Sequence, residues 1–249
     1  MPVLVEHRGP ISVVTLDRAA KRNAINGEMT DAIDAALNAG EDDPTCRVVV
    51  LTGGTDVFCA GTDLAEGSGT PTERGGEYGI IRRKSPIPII AAVEGVAFGG
   101  GFEIALACDL IVASRSARFA MPEVKRGLVA TSAGLFRVPR AVPLNVAREL
   151  LLTGDEIDVN RAERLGIVNV VAEAGAALDA AVALAERIVA NAPTSIRATL
   201  EALDSIYASN EDAGWSATET ATHTILNSED RVEGITAFFE RRPPNWPGR

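Results

Sequence analysis

Two stretches of this sequence combine small residues and carboxylates in a way that could do chemistry. The first, VAFGGGFEIALACD from Val96 to Asp109, follows three glycines with Glu103 and then an apolar run. Successive glycines weaken regular structure, because glycine loses the most backbone freedom on folding. A bare backbone must therefore serve some purpose there. The second, DVFCAGTDL from Asp56 to Leu64, places a small-residue turn, Ala60-Gly61-Thr62, after the strand-like run RVVVLTGG. Both turns fall at the carboxyl end of a strand, where open α/β sheets bind ligands. The glycine turn also opens a helix, where unpaired N–H groups and the helix dipole attract developing negative charge. Two such turns aimed at one oxygen would form an oxyanion hole, a mark of ester or thioester chemistry.

Carboxylates accompany these turns. Glu103 stands just past the glycines, and Glu123 follows Pro122 in FAMPEVKRG. Two carboxylates in one pocket can divide acid and base roles when burial and mutual repulsion raise one of their pKa values. Read alone, Glu123 also suits an acid in the first turn of a helix. No GK[ST] and no G-x-G-x-x-G opens a helix, which excludes the P-loop and the dinucleotide fingerprint. The two histidines, His7 and His223, stand in the first strand and the tail, so a serine or cysteine triad is poorly supported. The three cysteines, Cys46, Cys59 and Cys108, are odd in number and widely spaced. They read as buried thiols of a reducing compartment, with no metal site.

The elements that must position these groups follow from hydrophobic patterning. With 249 residues, 46% of them hydrophobic, the chain can bury one large core. A net charge of −10 argues against nucleic acid or an anionic membrane as partner. The opening MPVLVEHRGP does not read as a leader, and no apolar stretch reaches the ~20 residues of a membrane span, so a cytoplasmic protein is expected. VLVEH, ISVVTLD, RVVVLTGG, IPIIAAVEG and DLIVAS read as strands, the later ones covered on both faces. Between them GEMTDAIDAALNAGEDD puts Met29, Ile33, Ala36 and Leu37 on one helical face. Strands separated by helices predict an α/β core over residues 1–190, followed by a helical region over 191–249. The tail divides into helices over PTSIRATLEALDSIYAS, EDAGWSATETATHTILNS and EDRVEGITAFFERR, with Pro193 opening the first and Ser228 capping the last. Glu66 to Gly79 reads as a mobile Gly-rich loop, and Arg82, Arg83 and Lys84 as a solvated helix face.

Taken together, KRNAIN, VVVLTGG, FCAGTDL, IPIIAAVEGVAFGGGFEIALACDLIVAS, FAMPEVKRGL, LLLTGDEIDVNRAERLGIVNVV and FFERRPPNWPG resemble, in this order, the crotonase (enoyl-CoA hydratase/isomerase) superfamily. The resemblance implies an α/β crotonase-like fold, in which repeated ββα units form a spiral core with a C-terminal all-helical trimerisation region. It implies an acyl-CoA thioester as substrate, with coenzyme A part of that substrate and no separate cofactor, and a homotrimer or homohexamer. It places the oxyanion-hole amides at Thr62 and Gly100, water activation at Glu103, and proton delivery to the α-carbon at Glu123. It puts Arg22, Ala24 and Ile25 along the pantetheine and diphosphate path, Ala60, Asp63 and Leu64 against the adenine, and Phe239 and Arg242 in a helix that closes over the CoA. Retention of both glutamates favours hydration of an enoyl-CoA over isomerisation, hydrolysis, dehydration of a specialised acyl-CoA, or acyl-CoA binding without catalysis. Val129 and Ala130 depart from the proline and glycine-rich turn of many hydratases, and Phe98 and Phe102 place rings around the glycines. A reshaped acyl pocket is the expected result.

Overall fold

The continuous apolar runs become strands covered on both faces, and alternation divides their side chains between two cores. A computed structural model, which describes residues 2–249, places β1 (Val3–Arg8), β2 (Ile11–Leu16), α1 (Gly27–Asp42), β3 (Val48–Thr52), β4 (Ile89–Val93), β5 (Val96–Phe98), α2 (Gly100–Ala107), β6 (Leu110–Ser114) and β7 (Arg118–Ala120) in the first half. There follow α3 (Gly134–Ala141), α4 (Leu144–Thr153), β8 (Ile157–Asp158), α5 (Val159–Arg164), β9 (Val170–Ala172), α6 (Ala177–Val189), α7 (Pro193–Leu226) and α8 (Glu229–Glu240). The large sheet runs β1-β2-β3-β4-β6-β9, parallel from β2 onward. Every residue of β3 and β4 is buried. Val49, Leu51, Ala91 and Val93 face the core shared with α1 and α2, while Val48, Val50, Ile90 and Ala92 pack on Ala177, Ala181 and Ala185 of α6. Alanine at every fourth position lets that helix lie close to the sheet. On α1 the expected face, Met29, Ile33, Ala36 and Leu37, is buried, and the Asn26 side chain caps the helix by accepting from Met29 N at 3.1 Å.

Each turn of the chain adds a strand to the large sheet and then a short segment to a second parallel layer. In that layer Ile25 bridges Thr62, Cys59 bridges Ala97, and β5 pairs with β7. This is the expected spiral of repeated ββα units. The residues that leave the short layer, after Asn23, Cys59, Phe98 and Ala120, therefore emerge side by side.

The glycine triplet answers three separate constraints. Gly99 lies at φ +52, and a Cβ there would come within 2.8 Å of Glu123 Oε1. A Cβ on Gly100 would meet the Tyr78 hydroxyl at 2.7 Å, and one on Gly101 would meet the Cys59 carbonyl oxygen at 2.2 Å. The helix begins at Gly100, inside the triplet itself, and β5 occupies Val96–Phe98 just before it.

Three further expectations change. The two helices read over 193–209 and 211–228 are one, α7, of 34 residues. The polar stretch Ser209 to Gly214 that suggested a break instead packs on α3: Glu211 pairs with Arg137 and Arg140, and bare Gly214 admits the Phe136 ring. The Glu66–Gly79 loop is tied down, with Thr30 Oγ1 donating to Ser68 O at 2.6 Å and Thr72 and Gly76 exchanging backbone hydrogen bonds at 3.0 Å. Arg82 stacks on Trp215 with 3.6 Å to the ring centroid, and Arg83 is buried between Asp34 and Glu41, so two of the three residues of that basic cluster serve packing. Because Cys59 O is backbone and cannot move aside, Gly101→Ala should lower stability by about 2–3 kcal/mol. A urea midpoint and soluble yield equal to those of the unaltered protein would remove this account of the glycine.

Candidate active site

The short layer brings four turns to one cavity of about 480 Å³. Of the residues singled out in the sequence, Arg22, Ala24, Ala60, Thr62, Asp63, Leu64, Gly100, Glu123 and Phe239 line it. The Ala60-Gly61-Thr62 turn and the glycine turn touch, since a Cβ on Gly61 would lie 2.9 Å from Phe98 O and 3.4 Å from Gly100 N. Neither Thr62 N nor Gly100 N donates to a backbone acceptor among the described residues. Two free amides thus stand on adjoining turns at the wall of one cavity.

The turn around Thr62 is shaped by residues that motif reading passed over. Asn23, in left-handed backbone at φ 54, donates through Nδ2 to the carbonyls of Gly53, Val57 and Phe58 at 3.0 to 3.1 Å. Arg18 donates to Ala24 O at 2.9 Å and to Asp63 Oδ2 at 2.7 Å, clamping the two segments together. The Arg18 guanidinium holds the Asp63 carboxyl below the usual carboxylate range, and Oδ1 accepts from the amides of Ala65 and Glu66. Asp63 therefore reaches the cavity wall with its carboxylate already engaged.

Two of the expected ligand-contacting residues fall elsewhere. Ile25 is wholly buried, its amide donating to Gly61 O at 2.8 Å, so it supports the wall from behind and cannot line the CoA path. Arg242 lies past the end of α8, paired with Glu233 and Glu240 at 2.6 Å, and lines an adjoining cavity that shares Phe98, Pro122, Arg126 and Phe238 with this one. Phe102 likewise turns into the core against Phe119, with ring centroids 5.2 Å apart, while Phe98 does line the cavity.

The two glutamates come from different elements, Glu103 from α2 and Glu123 from the turn after β7. Glu103, in the first turn of α2, is 2% exposed and does not line the open cavity. Its Oε1 accepts from Ser132 N at 2.8 Å and Gly134 N at 2.9 Å, which fixes the carboxyl against the start of α3. Glu123, in the 3₁₀ turn Pro122–Arg126, lies over Gly99, and its Oε2 is buried without a hydrogen-bond partner. Burial pushes both carboxyls up, the charge of Glu123 adds to the rise at Glu103, and the two N–H donors on Glu103 oppose it by favouring its ionised form. Raised carboxyls of this kind titrate together, an arrangement in which one member can serve as acid and the other as base.

Four other residues escaped the sequence reading. Arg126 lines the cavity beside Glu123, stacks on Phe238 of α8 at 4.9 Å, and with Lys21 and Arg22 makes this opening cationic in an acidic protein. Leu128 adds apolar wall. Ser132 holds Glu103, and the Tyr78 hydroxyl bonds Thr62 Oγ1 at 2.7 Å. Tyr78 left one trace in the sequence, as one of only two tyrosines and the aromatic residue of the Gly-rich stretch. All three cysteines are free and buried, and burial raises the Cys59 thiol to about 12. Among the described residues no helix is long and apolar enough to cross a membrane.

Comparison with known proteins gives the same direction. The model of the enoyl-CoA hydratase/isomerase family matches residues 6–249. The chain is 39% identical over 252 residues to a carnitinyl-CoA dehydratase of Citrobacter koseri, covering 97% of this chain and 96% of that one. Among solved structures it is similar to carnitinyl-CoA hydratase from Mycobacterium avium (TM-score 0.93, 41% identity) and to enoyl-CoA hydratase from Mycobacterium tuberculosis (TM-score 0.80, 44% identity), each match covering 100% of this chain and 99% of the other.

The raised carboxyls set a sign for stability against pH. A carboxyl whose folded pKa exceeds its unfolded value stabilises the fold fully below the unfolded pKa, and that contribution is lost as pH rises through the folded pKa. For Glu103 and Glu123, both pushed up by burial, the loss runs upward from the ordinary carboxylate range through their raised values. Melting temperature should therefore fall between pH 5 and pH 8.5 in the unaltered protein and fall much less in the Glu103→Gln/Glu123→Gln double variant. Parallel curves for the two proteins would show that the pair is not held protonated by the fold.

Proposed function

The chain belongs to the enoyl-CoA hydratase/isomerase family, and from that premise we propose that it catalyses the reversible addition of water to a trans-2-enoyl-CoA, giving a 3-hydroxyacyl-CoA. The observation that carries this reading is the pair of buried carboxyls, Glu103 and Glu123, near the two free amides of Thr62 and Gly100. The amides form an oxyanion hole for the thioester oxygen, each donor worth ~3–4 kcal/mol when charge develops there. Polarised in this way, the conjugated thioester becomes electrophilic at the β-carbon. One water lies between the carboxyls, where Glu123 Oε2 is otherwise unpartnered.

In the forward direction Glu103, as carboxylate, takes a proton from the water while its oxygen bonds to the β-carbon. The electron pair of the double bond moves toward the thioester oxygen, and Glu123, as carboxylic acid, then delivers its proton to the α-carbon. The pair starts and ends with one proton, and H and OH have been added across the double bond. Dehydration is the same path reversed, so relatives named as carnitinyl-CoA dehydratase and enoyl-CoA hydratase need no difference in this machinery. Coenzyme A enters as part of the substrate, and the reaction needs no separate cofactor.

For the CoA moiety, Lys21, Arg22 and Arg126 offer cations to the phosphates, and Ala24, Ala60 and Leu64 offer apolar wall. Phe238 and Phe239 of α8, 45% and 54% exposed, flank the opening and close over the ligand. We place coenzyme A along this side and the acyl group beyond Gly100.

Two measurements test these assignments. Glu103→Gln and Glu123→Gln should each lower kcat by at least ~10²-fold with little change in acyl-CoA affinity, because each removes a proton carrier and keeps its shape. The readout is loss of the enoyl-thioester absorbance over a panel of enoyl-CoA substrates and its gain with carnitinyl-CoA in the reverse direction, and near-normal rates in both variants would refute the two-carboxyl mechanism. The second concerns assembly. Leu203, Ile206 and Tyr207 of α7 and the phenylalanines of α8 are all exposed on one chain, as an interface would require, so the protein should form a trimer or a dimer of trimers. A stable monomer in light scattering at micromolar concentration would rule that out.

A further inference from the structure

Tyr78 occupies a position that the proposed reaction leaves unexplained. It is 4% exposed and lies in left-handed backbone at φ 55, a conformation unfavourable for a bulky aromatic residue. Such a conformation persists only where the surroundings over-determine it. Here they do, since the adjoining glycines hold the loop against α1 and the phenol is anchored on Thr62 Oγ1 at 2.7 Å. The ring lies against Gly100, with its hydroxyl 2.7 Å and its Cζ 2.8 Å from where a Cβ would be. The Ser132 hydroxyl is beside it, and both Glu103 and Glu123 are near enough for their charge to act on the phenol.

Tyr78 thus meets or neighbours both oxyanion-hole turns, both carboxyls and the segment before α3. The open cavity reaches Thr62, Gly100 and Glu123 and stops there, with Tyr78 and Glu103 outside its lining. An acyl group whose thioester oxygen sat on the Thr62 and Gly100 amides would extend toward this ring.

Building on the hydratase reading, we propose that Tyr78 sets the depth of the acyl-binding space: moored on Thr62, its ring walls off the region beyond Gly100 and restricts the protein to short acyl groups. The size of the ring carries the restriction, and the bond to Thr62 keeps the ring in place.

The test uses saturated acyl-CoA esters, which bind but cannot be hydrated, with butyryl-CoA and decanoyl-CoA as probes in calorimetry. The ratio of the two Kd values cancels changes in the part of the site that binds CoA. Tyr78→Gly and Tyr78→Asn both remove the ring with residues that favour a positive φ, so each should keep the loop conformation. Both should shift the ratio at least tenfold in favour of decanoyl-CoA, whereas Tyr78→Phe, which keeps the ring, should shift it less than threefold. A ratio unchanged in both Tyr78→Gly and Tyr78→Asn would overturn the proposal. Since no turnover is needed, a protein that binds short acyl-CoA esters and hydrates none would sink the hydratase reading and leave this one standing. Hydration with an unmoved ratio would do the opposite, and a protein that bound no acyl-CoA would sink both.

Discussion

The constraint on which the rest of the structure depends is the close stacking of four chain crossings in the short parallel layer. Ile25 against Thr62, Cys59 against Ala97, and β5 against β7 are backbone pairings, so their spacing is fixed by hydrogen-bond geometry. Residues one to three positions beyond each crossing then emerge as neighbours, although more than thirty positions separate the first two segments in sequence. The large sheet and its helices hold these crossings in place. Close backbone approach demands small residues, and the 2.2 Å that would separate a Gly101 Cβ from Cys59 O shows how little room there is.

That stacking also explains the electrostatics. Burying two carboxyls beside one another costs several kcal/mol if both are ionised, and a fold that merely needed stability would place apolar groups there. This one instead fixes Glu103 by two N–H donors and leaves Glu123 Oε2 without a partner. Donors that favour charge and burial that opposes it act on the pair together, and the net effect raises both carboxyls. In the proposed reaction that pair would move the proton, and the nearby free amides would receive the negative charge.

Structural demands and ligand demands meet in several side chains. Asp63 lines the cavity, yet its carboxylate is engaged by Arg18 and two backbone amides, so its contribution is to the shape of the Thr62 turn. Arg126 lies on the same 3₁₀ turn as Glu123 and stacks on Phe238, linking the acid to the helix that flanks the opening. Gly100 serves a backbone N–H on one side and the Tyr78 ring on the other.

Much of this was legible in the sequence, for a local reason. Alternating and continuous apolar runs determine strands, the spacing of Met29, Ile33 and Leu37 determines a helix face, and a glycine triplet before Glu103 marks a helix start with a bare backbone. Each is a short-range property of the chain, and the ordered motifs were enough to place it in its family. Contacts between distant segments were not legible. Nothing local distinguishes the polar stretch at Ser209 to Gly214 from a turn, and only packing on Phe136 and pairing with Arg137 and Arg140 keep α7 continuous. Nothing local shows that Ile25 is sealed behind the wall, that Arg242 turns to Glu233, or that Tyr78 reaches Gly100 from a loop twenty-two residues earlier. Those outcomes depend on which surfaces meet, and the tertiary structure decides that because packing and burial are properties of pairs of segments, whereas sequence pattern is a property of one.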